Sequence, residues 1–143
     1  MHLNYILYAS QLTHPLTHLG LAGLLKECET NNDKNDITGF LHIEDDIVLQ
    51  YLEGPSEMLF ASIEKIRADA RHHHFEILDQ GVLQTRFFEG WQMALVENTT
   101  LSLFDLLGVT GGPLSDVGRA NPLDLITLLS ANASYLRDSP AAL

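Results

Sequence analysis

Residues 37–55, ITGFLHIEDDIVLQYLEGP, narrow the choice of fold more than any other stretch. Apolar and β-branched residues run on both sides of Glu44-Asp45-Asp46. That pattern predicts a β-hairpin with strands over 37–43 and 47–52 and the acidic triplet as its turn. Side chains alternate faces along a strand. Val48, Gln50 and Leu52 therefore share one face, and Ile47, Leu49 and Tyr51 the other. Gln50 is the irregular member, because an amide among apolar residues needs hydrogen-bond partners or costs about 1–3 kcal/mol. Taken alone, it reads as a core glutamine satisfied by backbone or as an edge residue facing water. What argues against that reading is Tyr8, through the topology that the rest of the chain implies.

Leu3 to Ser10 alternates as a first strand, with Asn4, Ile6, Tyr8 and Ser10 on one face. Pro15 and Thr17 mark a turn and a helix N-cap. A helix is expected over 19–30 with Leu21, Leu24, Leu25 and Cys28 as its apolar stripe, ended by Asn31-Asn32-Asp33. After the hairpin, Ser56 is the expected N-cap of a helix over 56–69 with Leu59, Ile63 and Ile66 inward. Strands are expected over 75–80 and 91–97, joined by a link containing Arg86, Phe87 and Phe88. The order β-α-β-β-α-β plus a fifth strand predicts an α+β, ferredoxin-like plan: a mixed sheet with two helices on one face. The first and third strands are then central neighbours, and Tyr8 and Gln50 can meet.

The chain changes character after residue 97. NTTLSLFDLLG reads as a short helix, Thr110 to Pro113 as a Gly-rich linker, and 121–137 as a helix with Leu125, Leu128, Leu129 and Leu136 on one side. This 98–143 extension is too short for a domain of its own and is expected to cover the other face of the 1–97 sheet.

Composition enters as a set of exclusions. Eight basic against 19 acidic residues give a net charge of −11, which disfavours nucleic acid and anionic membrane as partners. The single cysteine, Cys28, rules out an internal disulfide and fits a reducing compartment. The N-terminus lacks the basic start and apolar core of a signal peptide. No apolar run approaches the roughly 18 residues of a membrane span. A soluble, cytoplasmic protein is the expectation. His72-His73-His74 lacks the spacing of a metal site, so none is expected. No nucleophile elbow, P-loop or dinucleotide fingerprint occurs, so no enzymatic activity is expected.

What remains is a phenol, amides and an indole that the topology can gather. The residues are Tyr8-Ala9-Ser10, Asn31-Asn32, Ile37-Thr38-Gly39, Gln50 with Leu52-Glu53-Gly54-Pro55, Asp69 with Arg71-His72, and Arg86, Phe88, Trp91 and Met93. In that order and spacing, over residues 1–97, the chain resembles the BLUF family, the blue-light sensors that use FAD. Val48, Ile43 and Gln92 depart from the family's usual residues. The resemblance implies FAD between the two helices, with Tyr8 as electron and proton donor and Gln50 as a switch of hydrogen bonding. Asn32, assisted by Asn31, would anchor the ring's polar edge, and Leu24, Leu25 and Ile66 would be apolar walls. Lys65 stands where the family often has Arg and would approach the phosphates; Asp69, Arg71 and His72 complete the set. Trp91 and Met93 would lie on the strand that responds to the switch.

No effector segment is recognisable after residue 97, so a homo-oligomer or a separate signalling protein is the expected output. The alternative from another class is a ferredoxin-like small-molecule-binding protein or cofactor-free oxygenase using the same cleft. A yellow protein would favour the sensor, a colourless one the alternative.

Overall fold

The computed structural model describes the backbone of residues 2–88, 90–95, 102, 103, 106 and 114–138. It describes the side chains of those residues other than 18, 21, 25, 91–95, 114–116 and 134–138. The elements are β1 (Leu3–Leu12), α1 (His18–Lys34), β2 (Thr38–Glu44), β3 (Ile47–Pro55), α2 (Ser56–Arg67), β4 (His72–Leu83), β5 (Trp91–Leu95), α3 (Leu114–Arg119) and α4 (Pro122–Asp138). The five strands form one sheet in the order β4-β1-β3-β2-β5. Neighbours are antiparallel except β2 and β5, which run parallel. This is the ferredoxin-like plan, with β1 and β3 central as the element order predicts.

The hairpin turns on Asp45 and Asp46, with Asp45 in the left-handed region at φ 52°, a conformation that Asp tolerates through local side-chain bonding. Gly39 has φ 153°, and a Cβ there would stand 2.0 Å from the Tyr51 carbonyl oxygen. Only glycine allows β2 and β3 to approach so closely.

Thr17 caps α1, its hydroxyl accepting from the Gly20 N–H at 3.0 Å. Two expected boundaries are corrected. Asn31-Asn32-Asp33 does not end α1; the helix continues to Lys34, with the Asn35 amide donating to Asn31 Oδ1 one turn back. Ser56 is not the cap of α2. Pro55 holds that position, and the Ser56 hydroxyl instead bonds Asn4 and the His2 carbonyl, tying α2 to β1. β4 is also longer than expected, because His72 and His73 join the sheet opposite Leu12 and Gln11 through backbone bonding. A polar run on an edge strand carries no alternation to reveal it.

The sheet is buried on both sides. On one face Ile6, Tyr8, Leu41, Ile43, Val48 and Leu52 meet Leu59 and Ile63 of α2, with Leu24 of α1 packed against them. On the other face Leu7, Ala9, Phe40, Leu49 and Tyr51 meet Leu103, Val117 of α3, and Leu125, Leu128 and Leu129 of α4. The C-terminal segments thus close the second face. The side chain of Leu136 and most of 98–113 lie outside the described residues. No helix among the described residues is long and apolar enough to cross a membrane.

Candidate functional site

A cavity of about 330 Å³ opens between α1, α2 and the sheet, within the roughly 300–1,000 Å³ usual for ligand pockets. Its floor is β1 and β3. Tyr8 lies directly opposite Gln50 in the β1·β3 register, and both are 3% exposed. The Tyr8 hydroxyl donates to Gln50 Oε1. Phe75 stacks on the Tyr8 ring at 4.7 Å and His72 meets it edge-on at 6.4 Å. Burial holds the Tyr8 phenol well above its ordinary value, and the nearby Cys28 and Asp69 push it further the same way. Tyr8 is therefore a neutral donor that keeps its proton.

The α1 wall supplies Leu24, Cys28, Asn31 and Asn32, and α2 supplies Ser62, Lys65 and Ile66. Asp69, Arg71 and His72 form the rim beyond α2. Arg71 is bound to Asp69 at 2.5 Å and to Glu27 at 3.2 Å. The Arg71 hydrogen bonds hold the Asp69 carboxyl below its ordinary value against the opposing effect of burial. His72 Nε2 sits 2.5 Å from the Ile66 carbonyl, which can only accept, so Nε2 carries a proton. In the neutral ring Nδ1 then accepts from the Ser10 hydroxyl at 2.6 Å. Burial pushes the Cys28 thiol up to about 11, so it is an uncharged wall group.

The topology thus gathers Tyr8, Leu24, Asn31, Asn32, Gln50, Lys65, Ile66, Asp69, Arg71 and His72 around one cavity. The side chain of Leu25 lies outside the described set. So do those of Trp91 and Met93, whose backbones pair with Gly39 and Leu41 of β2.

A profile of the BLUF family, "Sensors of blue-light using FAD", matches residues 3–94. The chain belongs to the BLUF family. It is a blue-light sensor that uses FAD. The photoactivated adenylate cyclase subunit beta of Euglena gracilis is 28% identical over 116 residues, covering 80% of this chain and 13% of that protein. The chain thus spans about an eighth of the length of that curated relative. BlsA in its ground state is 26% identical with a TM-score of 0.76, over 92% of this chain and 87% of that one. BlrB in its dark state is 23% identical, TM-score 0.71, over 93% and 97%, a likeness of fold. Family membership favours the flavin sensor over the cofactor-free oxygenase.

The cavity of this BLUF domain fits a flavin. Asn32 is 4% exposed and Ser62 2%, both on the cavity wall. Among the described residues neither side chain has a hydrogen-bond partner, nor has the Nε2 end of Gln50. A buried polar group left unpaired costs about 1–3 kcal/mol. Several of them converging on one apolar-walled space match a planar ring with carbonyl and N–H groups on one edge. Ser62 and Cys28 are wall residues that the sequence reading did not assign to the site. The signal for Ser62 was present: a hydroxyl on the otherwise apolar Leu59-Ile63-Ile66 stripe of α2. Cys28 carried none, since a thiol on an apolar stripe reads as packing.

Proposed function

We propose that this BLUF domain signals through Tyr8 and Gln50 as its photoactive pair. One observation carries the reading: Tyr8 donates to one end of the Gln50 amide while the other end is unpartnered at the cavity. Bound FAD supplies blue-light absorption and an electron-accepting excited state. Burial keeps the Tyr8 phenol protonated at rest. Were it to give an electron to the excited flavin, the resulting cation radical would be strongly acidic. It would release its proton along the hydrogen bond to Gln50 Oε1, leaving a neutral radical. An amide offers an acceptor at one end and a donor at the other. By turning or tautomerising, Gln50 exchanges the two and leaves a different bonding pattern for the flavin. Asn32 and Asn31 would hold the flavin's polar groups, with Leu24 and Ile66 as apolar walls. Lys65 would bind the phosphates, with Asp69, Arg71 and His72 also lining the cavity.

Residues 1–97 are the sensor and 98–143 an extension of the same domain. Trp91 and Met93 on β5, in register with β2, respond to the change at Gln50. Output in this reading is contact with a separate signalling protein or a rearranged homo-oligomer in the cytoplasm, and not catalysis by this chain. The charge of −11 keeps nucleic acid and anionic membrane outside the partner set.

The test is the absorption spectrum of the purified protein in the dark and under blue light. A yellow protein with a small, reversible red shift of the flavin band is expected. A folded protein that holds no flavin and takes none up would overturn the reading.

A further inference from the structure

β2 borders both the cavity and the C-terminal segments. Leu41 and Ile43 line the cavity, and in the β2 register Leu41 lies opposite Gln50 on one side and Met93 on the other. Between and beyond them, alternation puts His42 and Glu44 on the face covered by α4. His42 is fully buried and Glu44 nearly so, in an interface that is otherwise mostly apolar. His42 Nε2 stands 2.9 Å from Glu44 Oε1, and His42 Nδ1 stands 3.3 Å from Asn132 Nδ2 of α4. An amide nitrogen only donates, so Nδ1 accepts and Nε2–H points at the carboxylate. Glu44 also accepts the Leu103 N–H at 2.6 Å and the Ser102 hydroxyl. One imidazole–carboxylate pair therefore ties β2 to α4 and to the 102–103 segment together. Burial alone would raise the Glu44 carboxyl, but His42, Ser102 and Leu103 outweigh it and hold it below its ordinary value.

We propose that the His42–Glu44 pair, with Asn132, is the coupling that carries the state of the flavin cavity through β2 to the C-terminal helix, resting on the photosensor reading above. Directional bonds have discrete arrangements, and a packed interface shifts between packings and does not deform continuously. Displacement of Leu41 by a rearranged Gln50 moves its neighbour His42 on the opposite face. The Asn132 amide, with a donor and an acceptor end, can meet the shifted imidazole with either. His42 is thus a positioning residue for output and touches no part of the cavity.

The experiment is hydrogen exchange on the flavin-loaded protein in the dark and under blue light, in the wild type and in the double variant His42→Leu with Asn132→Leu. Removing His42 takes one donor from the buried Glu44 carboxylate, which keeps Ser102 and Leu103, and the two leucines restore apolar packing under α4. Dark exchange of α4 checks that the helix stays docked against the cost of a weakened buried pair. In the wild type, light changes exchange over residues 122–133. In the double variant the flavin band still shifts, dark exchange of α4 matches the wild type, and the light-dependent difference over 122–133 is lost. A double variant that keeps the full difference would mean that the network is only structural and would overturn the proposal. So would a wild type whose flavin band shifts with no change in α4. If the double variant releases α4 in the dark, Ser102→Ala, which removes one bond from Glu44, decides: a diminished light difference supports the coupling and an undiminished one refutes it. A wild type without a flavin shift would instead bring down the photosensor reading, and the spectrum tells the two failures apart.

Discussion

Gln50 occupies a site between Val48 and Leu52 where a leucine would satisfy the sheet equally well. Its amide is held there by Tyr8 and, among the described residues, is without a partner at its other end. Gln50→Ala is expected to retain FAD, since the walls remain, and to lose the red-shifted state; the difference spectrum checks it. Tyr8→Phe is expected to block the normal photocycle as well, because a phenyl ring has no proton to deliver. A red-shifted state formed with wild-type yield in either variant would remove that residue from the pair. Asn32→Ala deletes a buried polar group whose side chain has no partner among the described residues, and is therefore expected to act on flavin binding and not on the apo fold. A loss of about 1.5 kcal/mol of flavin binding, roughly tenfold in Kd, should appear in titration, with thermal stability of the flavin-free protein little changed. Gly39→Ala is the opposite case. Its Cβ would collide with the Tyr51 carbonyl at a φ of 153°, and a destabilisation above about 3 kcal/mol is expected by chemical denaturation.

Among the elements, β2 and β3 were legible from apolar and β-branched runs flanking an acidic turn, and α2 from its apolar stripe. The start of α1 was legible from Thr17. Its end was not, since Asn31 and Asn32 are residues that favour caps, whereas here the Asn35 amide and backbone N–H both bond back to Asn31 within the helix. Glu53 shows the same limit. It is fully buried, and its carboxylate accepts the Phe87 and Phe88 N–H groups at 2.8 and 2.6 Å, the Tyr51 hydroxyl and the Thr38 hydroxyl. It fastens the link before β5 to the sheet. Glu53→Gln would keep one acceptor oxygen but turn a donor toward the Phe87 N–H, which bonds both carboxylate oxygens, and is expected to cost about 2–4 kcal/mol, measurable as a lower denaturation midpoint. Glu44 makes the attachment of the C-terminal segments sensitive to acid. Its folded carboxyl lies below the ordinary 4.5, so its contribution is complete above that value and is lost as pH falls through the lower, folded one. Acid titration followed by exchange over 122–133 should show α4 loosening below about pH 4.5, with that component absent in Glu44→Gln.

For the molecule as a whole, the sheet needs a cover on each side. Leu103, Val117, Leu125, Leu128 and Leu129 are buried against Leu7, Phe40, Leu49 and Tyr51, and each fully buried leucine contributes about 1.5–3 kcal/mol. Truncation after Glu97 would expose a face of leucine and phenylalanine on a five-stranded sheet. An aggregating or poorly folded product is expected, checked by light scattering and circular dichroism. A truncated protein as soluble and stable as the full chain would show that the extension is a tether.

The sequence by itself determined the element order of the sheet and its first two helices, the burial of both strand faces and the residue types around the cavity, but not α3 (Leu114–Arg119). These follow from local rules: side-chain period, turn chemistry and the misfit of an amide among apolar neighbours. Tertiary structure alone decided which unlike groups meet. Tyr8 and Gln50 are 42 residues apart, and His42 and Asn132 are 90 apart. Both contacts depend on strand register and on how α4 seats on the sheet. The same holds for Ser62 and Cys28 in the cavity wall and for Glu53 beneath the β4–β5 link. A polar side chain carries no local sign of whether a partner will be brought to it, because burial and hydrogen bonding are properties of the assembled chain.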